Sequence, residues 1–562
     1  MSTSVAMTDV EAMADAKAPT SIVCEKEPSP SSSSSSSSLQ HLEQQQTPAA
    51  LNRRLKSRHV QFLALAGTIG TGLFVGSGQV LHIAGPLSAL LAYAITGFNM
   101  YGIMTSLGEM ATWLPLTGAV PIYASRFVDP ALGFAVAWNY WYQVAIGVPI
   151  EATACAVIVD FWPAAMAVSK MGLVTLFLAT MVLSNCLPVR FLGETEFIFG
   201  AVKLLAIMGL MFVMLLISVG ATGQPPTGFR FWRHPGPMNE YLAVGALGRF
   251  LAFAKAFVQV SFSYGGSEIV IVAAGEVQDP RRNIPRAVRR VFWRVGLFYV
   301  LSTFLVGLCV SSNDERLLDA ISRSAPGAVQ SPFVVAISNA GIAVLPSVIN
   351  AVVLTSAWSA GNSCFYSSTR VLYAAAMDGK APAILRWKRF GVPYACVAAT
   401  SAVGCLVFLN FAHESAQVFF WISNLSAVSS LVVWASIAFT YLRFHYAMRR
   451  QAVSRASLPY RAPWQPFFAY FSLVFCVLVA LFNGFDAFFP GRFSAKTFLP
   501  PYLNIPIFLA LFFGYKLVKK TKMVSLDDMD LSSGKDDIDR LEGTWKVAQP
   551  RNLLQKMWFW IA

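Results

Sequence analysis

The sequence predicts an all-α polytopic membrane protein, and three observations predict it. Of 562 residues, 55% are hydrophobic and only 13% are charged, about half the charged share of an ordinary soluble chain. Apolar runs of bilayer length recur from about residue 60 to about residue 518, each long enough to cross hydrocarbon as a helix. The loops between them alternate between rich and poor in lysine and arginine, as the loops of a multi-span helical protein do.

Residues 1–55 read as a disordered cytoplasmic tail. They contain Ser31–Ser38, eight serines in a row, and Gln44-Gln45-Gln46, a composition that cannot bury a core. Lys17 and Lys26 are its candidate ubiquitin acceptors, with a ubiquitin ligase as the implied partner; plain tail lysines are the alternative. Nothing before residue 60 resembles a cleavage site, so no removed signal peptide is expected.

Twelve spans follow, at about 61–82, 86–107, 131–160, 171–189, 195–219, 250–275, 292–312, 346–375, 394–412, 416–442, 467–485 and 501–518. Together they make a twelve-helix membrane domain over 56–519, with residues 520–562 as a cytoplasmic C-terminal tail. The tail is acidic at first and ends in Trp558-Phe559-Trp560-Ile561, suited to a membrane interface. Residues 332–344 are apolar but too short to span, and are expected to form a helix lying at the membrane surface. With the N-terminus inside, the inner loops carry 26 lysines and arginines and the outer loops 8. That contrast puts both termini in the cytoplasm. Asp279–Arg294 is read as a basic inner loop.

The first span is unusual. After the basic lead Arg53, Arg54, Lys56 and Arg58, its apolar run holds Gly67-Thr68-Ile69-Gly70-Thr71-Gly72, then Gly76 and Gly78. So many poor helix formers in one span argue for a break. A broken helix persists in hydrocarbon only where it lines a protein-enclosed cavity. The sixth span repeats the pattern with Phe262-Ser263-Tyr264-Gly265-Gly266-Ser267-Glu268. Two interrupted spans in matching positions of two halves point to a transporter site; helix packing through small residues is the plainer alternative. The half-helix after the first break offers amides at Thr71 and Gly72 to a carboxylate. The second break frees carbonyls around Phe262–Tyr264 for an ammonium group. A ligand with both groups is an amino acid. Thr68, Ile69, Gly70, Thr71, Gly72, Phe262, Ser263, Tyr264 and Gly265 are therefore the candidate substrate-binding residues.

Four long motifs then resemble one family: residues 55–78 (LKSRHVQFLALAGTIGTGLFVGSG), 108–141, 262–294 and 359–382. The acidic stretch 526–539 (LDDMDLSSGKDDID) adds a fifth likeness. The chain resembles the amino acid permease family of the amino acid–polyamine–organocation superfamily, in its fungal-type branch. The resemblance implies a five-plus-five inverted-repeat (LeuT-like) core, over about 56–219 and 250–443, with helices 1 and 6 unwound at mid-membrane and helices 11 and 12 trailing at 467–519. It also implies proton-coupled uptake of an L-amino acid at the plasma membrane. Tyr264-Gly265 stands where relatives often carry a bulkier aromatic–polar pair.

Ionisable residues inside spans are costly and so are functional candidates. Lys203 in span 5 resembles lysines that stand where sodium-coupled relatives bind an ion. It has three readings: proton coupling, a fixed ammonium tying spans 1 and 8, or snorkelling to the interface. Glu151 in span 3 has a role toward a substrate ammonium or a proton, and Glu268 in span 6 one as gate or proton residue; a structural carboxylate is the alternative for each. Ser359, in the small polar run Trp358–Ser363, offers a hydroxyl to the ligand or to Lys203. Lys255, near the outer start of span 6, is within snorkelling reach. Asp160 reads as a solvated end residue, Glu109 and Glu276 as partners of the basic inner surface, and Phe420 and Trp421 as packing aromatics or a substrate cap.

The alternatives to transport are an amino-acid-sensing receptor of the same fold, or a permease for a polyamine or choline. The eight cysteines and six histidines lack metal-ligand or disulfide spacing, so no metal and no cofactor is expected. The glycines of span 1 lack the spacing and the strand–helix setting of a dinucleotide fingerprint, and no P-loop or catalytic triad is present. An enzyme is not expected, and the net charge of +14 belongs to the inner loops rather than to a nucleic-acid surface.

Overall fold

A chain in hydrocarbon must satisfy its backbone internally, and this one does so with helices. Among the described residues the only sheet-like pairing is an isolated Arg389–Val392 bridge. The computed structural model describes residues 70–536 and 539, apart from 117, 160, 163–167, 273–278, 323–330, 343, 390 and 412–414. Lys17, Lys26, Arg53–Arg58, Thr68, Ile69, Asp160, Glu276, Trp558–Ile561 and the side chain of Phe420 lie outside the described residues.

Helix α1 (Thr71–Phe74) is followed after Val75 by α2 (Gly76–Trp113). α2 covers the end of the expected first span and all of the second. The two meet at Gly85, where φ is 78° and ψ 169° beside Pro86, a conformation that glycine adopts because it lacks a Cβ. Next come α3 (Ala119–Phe127), α4 (Pro130–Ala145) and α5 (Gly147–Val159). Asp129 caps α4 by accepting a hydrogen bond from the Ala131 amide at 2.8 Å. Helices α6 (Lys170–Asn185) and α7 (Val189–Ser218) lead through the short α8 (Arg230–Arg233) to α9 (Ala246–Tyr264). The helix stops there and resumes as α10 (Ile269–Val272). Across the gap Gly266 takes φ 78°.

Helix α11 (Pro280–Arg294) passes through a π turn (Val295–Leu301) into α12 (Ser302–Cys309). The remaining helices are α13 (Glu315–Ser322), α14 (Pro332–Asn339), α15 (Leu345–Met377), α16 (Tyr394–Gly404), α17 (Ser415–Arg450), α18 (Phe467–Phe482), α19 (Ala495–Tyr502) and α20 (Asn504–Lys519). Among the described residues, five helical runs are long and apolar enough to cross a membrane, by length and composition. They are Gly76–Trp113, Pro130–Val159, Gly193–Ser218, Pro280–Cys309 and Trp421–Arg450.

The apolar segment 332–344 forms a short helix, α14, as expected, and it packs onto the protein: Phe333, Val334, Val335, Ala336 and Ile337 are all buried, and the Phe333 ring meets Phe74 edge-on at 6.1 Å. One expectation changes. The basic stretch after Asp279 is helical from Pro280 rather than a loop. Proline suits a first helical position. Ile284, Ala287, Val288 and Val291 then bury one face and leave most of the arginines on the other.

The start of the acidic C-terminal segment is docked. The Val524 amide donates to the Val128 carbonyl at 2.8 Å, and Gln451 Nε2 donates to the carbonyls of Leu526 (2.9 Å) and Met529 (2.8 Å). Trp113 Nε1 donates to the Leu531 carbonyl at 2.8 Å. Arg126 donates to the Asp530 and Ser533 carbonyls and pairs with the Asp530 carboxylate at 2.8 Å. Arg450 pairs with Asp527, and Arg281 with Asp539. Met529 and Leu531 are buried beneath this layer. The segment thus straps together the ends of α2, α3, α11 and α17.

Partial burial pushes the Asp530 carboxyl up, but its Ser533 hydrogen bonds and Arg126 outweigh that and hold it below the ordinary 3.8. A depressed carboxylate stabilises fully above its unfolded value and loses that contribution as pH falls through its folded value. The strap is therefore expected to stay docked near neutrality and to loosen below about pH 4. Arg126→Ala should raise amide exchange of residues 524–533 about tenfold at neutral pH. Unchanged exchange in both experiments would show that Arg126 and Asp530 do not hold it.

Candidate functional site

Helices α1 and α9 approach closely because glycine stands at the crossing. A Cβ on Gly72 would come within 2.8 Å of Ser263 Cα, and Ser263 Oγ donates to the Gly72 carbonyl at 2.8 Å. Beside the crossing lies a cavity of about 70 Å³, space for roughly five waters. Gly70 and Gly72 line it on one side and Phe262, Ser263, Gly265, Gly266 and Ile269 on another. Helices α4 and α5 contribute Gln143, Val144, Gly147, Ile150 and Glu151; α15 contributes Ala360, Ser363 and Cys364; α17 contributes Ser426 and Ser430. The two interruptions thus border one cavity, as the paired glycine-rich segments predict.

A carboxylate of the protein itself occupies the amide end of α1. Thr71 Oγ1 donates to Glu151 Oε1 at 3.1 Å and Oε2 at 3.2 Å, and the Thr71 backbone adds a further hydrogen bond. A Cβ on Gly70 would meet Glu151 Oε1 at 3.0 Å, so glycine there lets the carboxylate come in. Behind Glu151 stands Lys203, fully buried on α7 and in electrostatic contact with Glu196 and Glu151. Ser359 Oγ donates to Glu196 at 3.1 and 3.2 Å. A chain of polar groups, Thr71–Glu151–Lys203–Glu196–Ser359, therefore leads away from the cavity. Snorkelling does not describe a lysine buried between two carboxylates.

Ser359 is not among the described residues that line the cavity. It lies one layer back and serves Glu196 rather than a ligand. Glu268 likewise lies behind the lining: its Oε1 accepts from Gln143 Nε2 at 3.0 Å and its Oε2 from Trp434 Nε1 at 3.1 Å. Tyr264 is buried away from the cavity, stacked on Tyr299 with ring centroids 4.4 Å apart, and its hydroxyl donates to the Tyr93 carbonyl at 3.0 Å. Trp421 is also outside the described lining.

The carbonyls freed by the second break already have donors. Phe262 O accepts from the Gly265 amide at 3.1 Å, Ser263 O from the Tyr299 hydroxyl at 3.1 Å, and Tyr264 O from Ser267 Oγ at 2.8 Å. Tyr264 O also accepts from the Ser267 amide at 3.4 Å, which uses both of its lone pairs. Elsewhere, Lys255 pairs with Asp486 at 2.8 Å, and Glu109 pairs with Arg455 while accepting from Tyr441 at 2.5 Å and from the Ala462 amide at 2.7 Å. Glu109 thus meets a basic partner, as its plainer reading holds, whereas Lys255, read as snorkelling, is paired with a carboxylate.

Sequence reasoning missed Glu196, Gln143, Ser426, Ser430 and Tyr299. Glu196 had a signal: it stands seven positions before Lys203, two helical turns away on the same face. Ser426 and Ser430 are four apart, again one face. Tyr299 had none, because the π turn that aims it is not legible from composition.

The Gly72 contact is with backbone, so no rotamer change relieves it. Gly72→Ala should push α1 and α9 apart at a cost of about 1–3 kcal/mol, read as a lower melting temperature of the detergent-solubilised protein. An unaltered melting curve would rule out the close crossing.

Comparison with known proteins agrees with this architecture. The family model described as "Amino acid permease" matches residues 59–527. A proline-specific permease of Emericella nidulans is 41% identical over 91% of this chain and 94% of its own length. A probable proline-specific permease of Schizosaccharomyces pombe is 42% identical, over 88% of this chain and 90% of its own. A dicarboxylic amino acid permease of Saccharomyces cerevisiae is 39% identical, over 88% and 81% respectively. A family match over residues 59–527, across both interruptions, with relatives about 40% identical over most of their length, leaves one conclusion: the chain belongs to the amino acid permease family.

Proposed function

We propose that the protein is a proton-coupled symporter that carries an L-amino acid into the cell across the plasma membrane. It works by alternating access around the two interrupted helices. Twelve spans form the machine, ten of them as two inverted repeats, with both termini in the cytoplasm; the 26-to-8 charge contrast supports the orientation. The observation that carries the reading is the position of Glu151. Its carboxylate sits on the amide end of α1, where a substrate carboxylate would bind.

Two carboxylates cannot both remain anionic at one such end. Substrate entry therefore requires Glu151 to take a proton or to move toward Lys203. In the same step the substrate ammonium meets the second break from the cavity side, where Phe262 and Ser263 form the lining. Release of substrate inside lets Glu151 return to Thr71 and give up its proton. Lys203, shared between Glu151 and Glu196, holds the charge of the pair while this happens.

The substrate is a small neutral amino acid, proline first. Two relatives are named for proline, the cavity is small, and among the described lining residues α17 contributes Ser426 and Ser430 and no charged side chain.

The test is uptake of radiolabelled amino acids by purified protein in liposomes, with and without an inward proton gradient. Gradient-driven accumulation of proline is expected. Ligand binding without uptake of any amino acid would replace the transporter by a receptor. Glu151→Gln should lower gradient-driven accumulation at least about tenfold, the scale of one charge-assisted hydrogen bond, while leaving exchange of internal for external substrate. Retained gradient dependence would remove Glu151 from coupling. Gly265 has φ −53° and ψ 143°, a conformation open to any residue, and a Cβ there would meet the Phe262 carbonyl at 3.2 Å, which must give slightly, and Ser430 Oγ at 3.5 Å. Gly265→Val is expected to fold with some loss of stability and to exclude proline while still admitting glycine. Equal uptake of both would show that this wall does not set size.

A further inference from the structure

The carbonyls of the second break each have a donor already, while two buried polar atoms of the described lining, Gln143 Oε1 and Ser363 Oγ, have no close partner. The serine hydroxyl can turn to Glu196, whereas the amide oxygen can only accept. Gln143 lines the cavity, is 4% exposed, and its Oε1 is buried without a hydrogen-bond partner among the described residues. A buried amide oxygen left unpaired costs about 1–3 kcal/mol, so it asks for a ligand donor. Its orientation is fixed from behind. Gln143 Nε2 donates to Glu268 Oε1 at 3.0 Å, and Trp434 Nε1 holds Glu268 Oε2 at 3.1 Å. An ionised carboxylate only accepts, so it takes the NH2 of the amide and leaves the oxygen for the cavity.

We propose that Gln143 is the residue that recognises the substrate amino group, and that Glu268 is its positioning residue. The inference rests on the amino acid reading above and adds a side chain to it. Its second part follows from the same geometry. A protonated Glu268 donates through its O–H, the Gln143 amide turns to accept it, and NH2 instead of oxygen then faces the cavity and opposes an ammonium. The charge on Glu268 is thereby written into the cavity as acceptor or donor. The charged and titratable groups that interact with Glu268 are Arg294 at the end of α11, Tyr140 on α4 and Cys364 on α15. Arg294 also donates to Ser267 Oγ at 2.5 Å, so the positive charge stands on the side of the break, not between Glu268 and Gln143.

The experiment compares an amino acid with the carboxylic acid that lacks its amino group. The twenty L-amino acids are first ranked on the full-length wild type by thermal shift, and the strongest is paired with its deaminated analogue; for proline this is cyclopentanecarboxylate. Wild type should prefer the amine. Gln143→Leu should lose about ten- to hundredfold of that preference while binding the analogue as before. Glu268→Gln, whose amide can donate to Gln143 as a protonated carboxyl would, should lose a similar factor. The double variant should lose no more than either alone.

A variant that merely loosens the fold weakens both ligands together, so the amine-to-analogue ratio separates recognition from damage. Gln143→Met repeats the test should the leucine variant fail to fold, and Glu268→Gln tests the acceptor independently of either. Wild-type preference unchanged within about threefold in the single variants would overturn the inference and leave the transporter reading standing. A wild type shifted by none of the twenty would overturn both.

Discussion

The unpaired backbone of two interrupted helices is the constraint on which the rest of this structure depends. Exposed amides and carbonyls are costly away from water, so every group released by a break needs an answer from a neighbour. At α1 the answer is Glu151, reaching across from α5. At the end of α9 it is Tyr299, Ser267 and the turn amide of Gly265. Those partners require α5 and the π turn to stand where they do. Close packing of α1 on α9 in turn requires Gly72, because membrane helices associate through small residues and hydrogen bonds rather than through exclusion of water.

Charge follows from the same requirement. Glu151 brings an anion into the protein, and an isolated buried anion is far too costly to keep. Lys203 supplies the counter-charge, Glu196 and then Ser359 complete its surroundings, and the polar chain ends in α15. Glu268 is a second anion with a different solution: two neutral donors, Gln143 and Trp434, and the field of Arg294. One carboxylate caps an interrupted helix beside the cavity, and the other holds an amide that lines it.

Much of this was legible in the sequence, and the reasons for the rest are physical. Glycine and hydroxyl residues within apolar runs located both breaks, because their helix propensity and their cost in hydrocarbon disagree with a plain anchor. Glu151 and Lys203 stood out as charges in spans. Ser359 was misassigned to the ligand because spacing along α15 gives a face and not the neighbour that face meets; the neighbour is Glu196. Gln143 was passed over because a neutral amide in an apolar run carries no charge signal, although its unpaired oxygen is the more telling atom. The helix at 332–339 was expected from its apolar run and its length, but its packing against Phe74 was not, because a contact between distant segments leaves no mark on either. The docking of 524–533 was invisible because Arg126, Arg443 and Gln451 bind mainly its carbonyls, and carbonyls have no sequence.

The π turn at Val295–Leu301 has a consequence for how such a chain can change over time. It holds one residue more per turn than an α-helix would, and Tyr299, the donor to the Ser263 carbonyl, stands inside it. Substitution there alters a contact. Deletion of a single residue is a different event, because it restores α-geometry and shifts the residues inside the turn by up to about 100° while the helix beyond keeps its register. The tyrosine would swing off the broken helix while the helix kept its length and hydrophobicity. In this segment, therefore, length is held more strictly than identity.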